Sequence, residues 1–151
     1  MKHYIIDGNN LIGKISSLKK LHKKNKQLSA EKLSFILGRY FNRKKYTVSL
    51  HFDGFAGDKI NVTGIKIFYS EKQTADEKIK SEIERSRNPR NIVLITSDNN
   101  LAEYGRVCSC RVIKSEDFSK VIKSDNSKDE ETSRIDEINN NEEFGKLFGT
   151  E

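Results

Sequence analysis

One proline, two cysteines and no tryptophan occur among the 151 residues, and there is no long apolar run. Without an apolar stretch of about 18 residues, no membrane-spanning helix is expected. Cys108 and Cys110 stand two apart, with no Cys or His after them to complete a metal set. They predict a pair of reduced thiols beside a strand start. His3, His22 and His51 form no pattern with them, and His51 reads as a half-buried strand histidine. No Gly-x-x-x-x-Gly-Lys phosphate loop is expected and no Gly-x-Gly-x-x-Gly occurs, so a nucleotide-cofactor site is unsupported. Neither a Gly-x-Ser-x-Gly elbow nor a Cys/His pair suggests acyl chemistry. The chain enters a strand-like run at once, with no signal-peptide layout. The expected compartment is the cytoplasm or an equivalent reducing one, such as an organelle stroma.

Charge, by contrast, is plentiful. Charged residues make up 33% of the chain and hydrophobic ones 34%, so apolar residues must be concentrated in a few elements. The net charge is +6, unevenly spread. Residues 1–50 hold twelve Lys/Arg against two acids, and residues 125–151 hold three against nine. A basic front half suggests a polyanionic partner. Lysine usage set by genome composition is the plainer explanation for any single one.

Apolar runs and punctuation predict alternating strands and helices. Strands are expected at 3–7, 46–52, 65–69, 92–96 and 111–113. The run Ile92-Val93-Leu94-Ile95 reads as a central strand covered on both faces. Residues 14–27 read as a Lys-rich loop. Ser29 is expected to cap a helix reaching Arg43, with Leu33, Ile36, Leu37, Tyr40 and Phe41 at helical spacing. Thr74 and Glu77 form a capping-box pattern for a helix to Arg87, which Asn88-Pro89 stops. A short helix is expected from Asp98 to Arg106, and another from Ser115 to Ile122. Such alternation implies an α/β sandwich with a mainly parallel sheet of about five strands. The expected organisation is one domain over 1–123 and a flexible acidic tail over 124–151, with Phe144, Leu147 and Phe148 able to dock as a closing turn.

Four aspartates fall where strands end or helices begin: Asp7, Asp53, Asp76 and Asp98. Each alone has a plain explanation. Asp7-Gly8 and Asp53-Gly54 resemble turn dipeptides, Asp76 suits a first helical turn, and Asp98 suits an N-cap. Together they carry more weight. In an open parallel sheet all strand carboxyl ends share one edge, and ligands bind there. At about 5 Å and an effective dielectric near 20, each like-charge pair costs on the order of 3 kcal/mol. No Lys or Arg stands within three residues of Asp7 or Asp98. Raised pKa values or a bound cation are the remedies, and oxygen-only donors select Mg²⁺ or Mn²⁺.

The segments Asp7-Gly8-Asn9-Asn10-Leu11-Ile12-Gly13, Phe52-Asp53, Phe68 through Ile79 with its Thr74-Ala75-Asp76-Glu77 block, and Thr96-Ser97-Asp98 together resemble the NYN domain. That domain belongs to the PIN-like nuclease superfamily, and the nearest branch is the bacterial YacP-like one. The resemblance runs in order from residue 3 to 123. It implies a Rossmann-like three-layer fold and a metal-dependent endoribonuclease acting on mRNA at the ribosome. Asp7, Asp76 and Asp98 match the family's acidic metal site, and Asp53 lies beside it. Asn10 matches the amide of the first motif, with Glu77 and Ser97 as supporting groups. Position 9 is Asn where the family often carries an aromatic residue. This chain also ends acidic where the branch ends in a basic helical tail.

On that reading, Asp7, Asp76 and Asp98 hold Mg²⁺ or Mn²⁺, and Asp53 or Glu77 orients the attacking water. Asn10 fixes a ligand carboxylate or a phosphate oxygen. Arg39, Arg43, Lys44, Lys45, Arg85, Arg87 and Arg90 are expected to contact RNA phosphates, which supply affinity without sequence readout. Two rival readings keep the same residues: a non-catalytic RNA- or ribosome-binding module, and a phosphatase or 5′-nuclease.

Overall fold

A computed structural model describes residues 1–134, with side chains to residue 124. Its elements are β1 (His3–Asp7), α1 (Gly8–Ile12), α2 (Ser16–Lys24), α3 (Lys26–Phe41), β2 (Thr47–Phe52), β3 (Lys66–Tyr69), α4 (Ala75–Arg85), β4 (Ile92–Ile95), α5 (Asn99–Val107), β5 (Arg111–Ile113) and α6 (Ser115–Arg134). A 3₁₀ turn at Pro89–Asn91 leads into β4. The strands form one sheet in the order β3-β2-β1-β4-β5. Every neighbouring pair is parallel. The chain therefore reverses its winding between β1 and β4, the place where doubly wound sheets open a crevice.

Alternation along the strands builds the two interiors. Ile6, Val48, Leu50, Phe52, Val93 and Ile95 pack beneath α1, α2, α3 and α6. On the other face Ile5, Ile92 and Leu94 meet Ile79 and Ile83 of α4 and Leu101 of α5. All four residues of β4 are buried, as a strand covered on both faces requires. Cys110 is buried in the second interior and Cys108 is half-buried; both are free thiols. Among the described residues no helix is long and apolar enough to cross a membrane.

The structure departs from the expected elements mainly at the front. Residues 14–27 are not a loop, because α2 occupies most of them and α3 begins at Lys26. The cap of α3 is Asn25, whose side chain accepts the Leu28 N–H at 3.0 Å. Ser29, the expected cap, is buried inside the helix and donates to the Lys26 carbonyl at 2.9 Å. α3 stops at Phe41, and Arg43 follows in a left-handed conformation, φ 69°. Thr74 caps α4 by accepting the Glu77 N–H at 3.1 Å. Glu77 reaches the Thr74 hydroxyl at 3.2 Å, where a capping box would use the backbone N–H. α6 continues to Arg134, beyond the Ile122 expected. Phe144, Leu147 and Phe148 lie outside the described residues.

Candidate active site at the sheet switch point

β1 ends at Asp7 and α1 starts at the next residue. Gly8 permits this: a Cβ there would stand 2.6 Å from the His51 carbonyl oxygen and 2.7 Å from the Phe52 ring. Gly8 through Lys14 spells Gly-x-x-x-x-Gly-Lys, but Ile15 follows and residues 8–12 are helix, so it forms no phosphate-cradling loop.

Because successive helical residues point about 100° apart, Asn9 and Asn10 face opposite sides of β1. Asn9 Oδ1 accepts the Asp53 N–H at 2.8 Å, tying α1 to the end of β2. Asn10 Oδ1 accepts the Ser97 N–H at 2.9 Å and the Ser115 hydroxyl at 2.7 Å, tying α1 to the ends of β4 and β5. The two amides brace the edge that carries the acids. Asn10 therefore positions loops, where the sequence predicted a contact to a ligand carboxylate or phosphate.

Asp7 Oδ2 accepts the buried Thr96 hydroxyl at 3.0 Å, and Thr96 Oγ1 accepts the Asp98 N–H at 3.1 Å. Asp98 caps α5 by accepting the Leu101 N–H at 3.0 Å. Asp53 Oδ1 accepts the Ala75 N–H at 2.9 Å, anchoring the start of α4. Ser97 accepts the Ser115 N–H at 2.9 Å and donates to Glu116, whose carboxyl that donor pulls below its usual range. Sequence reasoning passed over Thr96 and Asn9. Their motif positions were visible, but not the partners they hold, which long-range strand pairing sets.

Burial raises the Asp7 pKa from 3.8 to about 6, and the charges of Asp53 and Asp98 push the same way. The Thr96 hydrogen bond and the Asn10 N–H act against them without cancelling them. Asp53 and Asp98 are thus each within electrostatic reach of Asp7. Among the described residues none of the three is paired with Lys or Arg. Asp76 lies in the first turn of α4, next to the Ala75 N–H that Asp53 accepts, with Lys80 3.1 Å from its carboxylate. Among the described residues no three His, Cys, Asp or Glu side chains are grouped closely enough to hold an ion by themselves. The donor chemistry fits a hard divalent cation nonetheless. It is all oxygen and carries uncompensated negative charge, and Mg²⁺ ordinarily takes only one or two carboxylates alongside water and phosphate.

Most of the expected RNA-contacting residues are not at this edge, although Arg85 lines a cleft with Tyr69 at the end of β3 and Gln73 beyond it. Arg39 closes α3 and Arg43, Lys44 and Lys45 lead into β2, while Arg85, Arg87 and Arg90 lie between the end of α4 and the start of β4. In a parallel sheet, helices return the chain to the strand amino ends, opposite the carboxylates. Lys44 is further engaged, donating to the Tyr40 carbonyl at 2.9 Å and lying over the Tyr40 ring. The basic groups at the carboxylate edge are others, including Lys14 and Lys114, whose charges reach Glu116.

A family model described as YacP-like NYN domain matches residues 4–147. No curated protein sequence matches the chain. The crystal structure of Rae1 (YacP) from Bacillus subtilis is 21% identical, with a TM-score of 0.75 over 97% of this chain and 87% of that one. The structure of its W164L mutant is 19% identical, with a TM-score of 0.71 over 98% and 92%. At these identities the likeness is one of fold.

Proposed function

This chain belongs to the YacP-like NYN domain family, within the PIN-like nuclease superfamily, and on that premise we propose that it is a metal-dependent endoribonuclease hydrolysing RNA phosphodiester bonds. The observation that carries this reading is Asp7. It is a carboxyl desolvated at the switch point, with two further aspartates in electrostatic reach and no basic partner among the described residues. A purely structural acid in that place would be expected to acquire an Arg or Lys.

Asp7 and Asp98 would hold Mg²⁺ or Mn²⁺, and Asp76 would join them by leaving Lys80. That exchange is easy, since an exposed i,i+4 pair contributes about 0.3–0.5 kcal/mol. When bound there, the ion supplies Lewis acidity toward the water and the phosphoryl oxygens. The chain's own residues do the rest. Thr96 orients Asp7, Asn10 and Ser97 fix the loop bearing Asp98, and Asn9 fixes Asp53. Asp53 or Glu77 would align the water for in-line attack. In this reading the substrate is mRNA, presented at the ribosome as the resemblance implies. The basic residues of the opposite edge would meet a polyanion only at a place remote from scission.

The test uses Asp7→Asn and Asp98→Asn. Asparagine caps helices as well as aspartate does, so both variants should fold. Mn²⁺-dependent cleavage of a circular, internally labelled RNA should be lost in both. Full activity in both variants, or in EDTA, would end the proposal. Activity confined to linear RNA would make the enzyme an exonuclease.

A further inference from the structure

Beside Asp53, on the side of the sheet edge away from Asp98, lies a cavity of about 320 Å³. This is within the roughly 300–1,000 Å³ of small-molecule sites. Its walls include Asn9 and Asp53 of the carboxylate edge, His22 of α2, Lys26 of α3, and three aromatic residues, Phe52, Phe55 and Tyr69. We propose that this cleft is a nucleobase subsite, and that α2 carries the RNA backbone into it. The proposal rests on the ribonuclease reading only for where the scissile phosphate lies.

Four observations converge. First, Phe55 follows the Asp53-Gly54 turn and is 67% exposed at the cavity rim. A lone exposed phenylalanine is ordinary. One at the mouth of a cavity contiguous with a phosphodiester-cleaving edge offers a π-face to a base. Second, the Tyr69 hydroxyl is buried and has no hydrogen-bond partner among the described residues. Buried donors are normally satisfied, so a polar ligand atom is the expected complement.

Third, His22 shows the cleft a defined tautomer. The Ser29 hydroxyl donates to the Lys26 carbonyl, so it must accept from His22 Nδ1, 2.7 Å away. Nε2 is then a hydrogen-bond acceptor. Burial and the Lys26 charge lower the His22 pKa, which favours the neutral imidazole. Fourth, Lys19, Lys20, Lys23 and Lys24 are all exposed on α2, whose opposite face buries Leu18. At 100° per residue the four ammonium groups span one 140° sector. Among the described residues none has a carboxylate partner. Unpaired cations on the helix that also contributes His22 to an aromatic-rimmed cavity suit single-strand recognition, with phosphates on the lysines and a base on the ring. They also supply what the basic residues at the opposite edge do not.

The experiment is fluorescence anisotropy in EDTA, with a labelled single-stranded hexaribonucleotide and an abasic hexamer of the same charge. Wild type should bind the base-bearing oligomer about tenfold more tightly, as one stacked base predicts. Phe55→Ala should lower that affinity to the abasic level and leave the abasic affinity unchanged, while Phe55→Trp should restore the difference. The combined Lys20→Ala and Lys23→Ala variant should weaken both oligomers alike and reduce the salt dependence. Equal affinity of wild type for the two oligomers, or an unchanged difference in Phe55→Ala, would overturn the subsite. Phe55 lies in an exposed loop, so its removal leaves the fold intact, and circular dichroism of the variant verifies this. Because metal is absent throughout, an inactive protein can still pass. Lost Mn²⁺-dependent cleavage with retained base discrimination would strike only the nuclease reading.

Discussion

The Thr96 hydroxyl donates to Asp7 Oδ2 at 3.0 Å, yet this single bond does not offset the cost of burying the Asp7 charge. A rise from 3.8 to about 6 corresponds to at most about 3 kcal/mol. The folded state binds the proton more tightly than the unfolded chain does. Metal-free stability should therefore fall as pH rises from about 4 to about 6 and level off above. Asp7→Asn should be more stable than wild type at pH 7 by about 1–3 kcal/mol, the difference vanishing near pH 4. Urea denaturation at the two pH values measures this. A variant less stable at pH 7 would mean that the wild-type carboxylate is better solvated than its surroundings suggest.

Asn10 leads to a second expectation. Asn10→Ala would leave the Ser97 N–H and the Ser115 hydroxyl without their acceptor. Two part-buried groups at about 1 kcal/mol or more each predict a loss of about 2–3 kcal/mol in stability. Since Ser97 precedes Asp98, the turnover number should fall further than at Asn9→Ala, which frees only the exposed Asp53 N–H. Parallel unfolding and cleavage assays on the two variants decide the order.

How much of this was legible in the sequence follows from how local each feature is. The buried run Ile92–Ile95 and the Thr74 cap of α4 are encoded within a few residues, and both appear. α2 was hidden because four exposed lysines outnumber Leu18 and Leu21, although the spacing of those leucines fits a helix. The bracing by Asn9 and Asn10 could not be read, since their partners depend on β1 lying between β2 and β4, a fact of long-range pairing. The misplaced basic residues are a different matter. Strand–helix alternation already implied that Arg43 through Lys45, standing between a helix and the next strand, belong to the edge away from the acids.

Glu82 accepts from Ser49 at 2.6 Å and from His51 at 2.7 Å, with His3 at 3.0 Å. These hold α4, and with it Asp76 and the amide that Asp53 caps, against β2. Burial raises the Glu82 pKa, but the bonds from His3, His51 and Ser49 outweigh it and hold the carboxyl well below the usual range. Its stabilisation is present above about pH 4.5, the ordinary value, and is lost as pH falls further. Glu82→Gln should lose about 2–3 kcal/mol at pH 7 and show a flatter acid limb. An unchanged acid limb in denaturant titrations would assign the acid sensitivity to another group.

Divalent metal gives the most direct measure of the acids acting together. Binding to the folded state alone stabilises by about 2.7 kcal/mol at one hundred times the dissociation constant. Asp7, with a pKa of about 6, must lose its proton to act as a ligand, so the Mn²⁺-induced rise in unfolding midpoint should be larger at pH 7 than at pH 5. Asp7→Asn should abolish the rise. Lys80→Ala separates the contributions, because it releases Asp76 from a contact of 3.1 Å worth about 0.3–0.5 kcal/mol. If Asp76 joins the ion, Lys80→Ala should tighten Mn²⁺ by about twofold and Asp76→Asn should weaken it by tenfold or more. If calorimetry finds the affinity of Asp76→Asn unchanged, the ion is held by Asp7 and Asp98 alone, and the first turn of α4 serves only to receive Asp53.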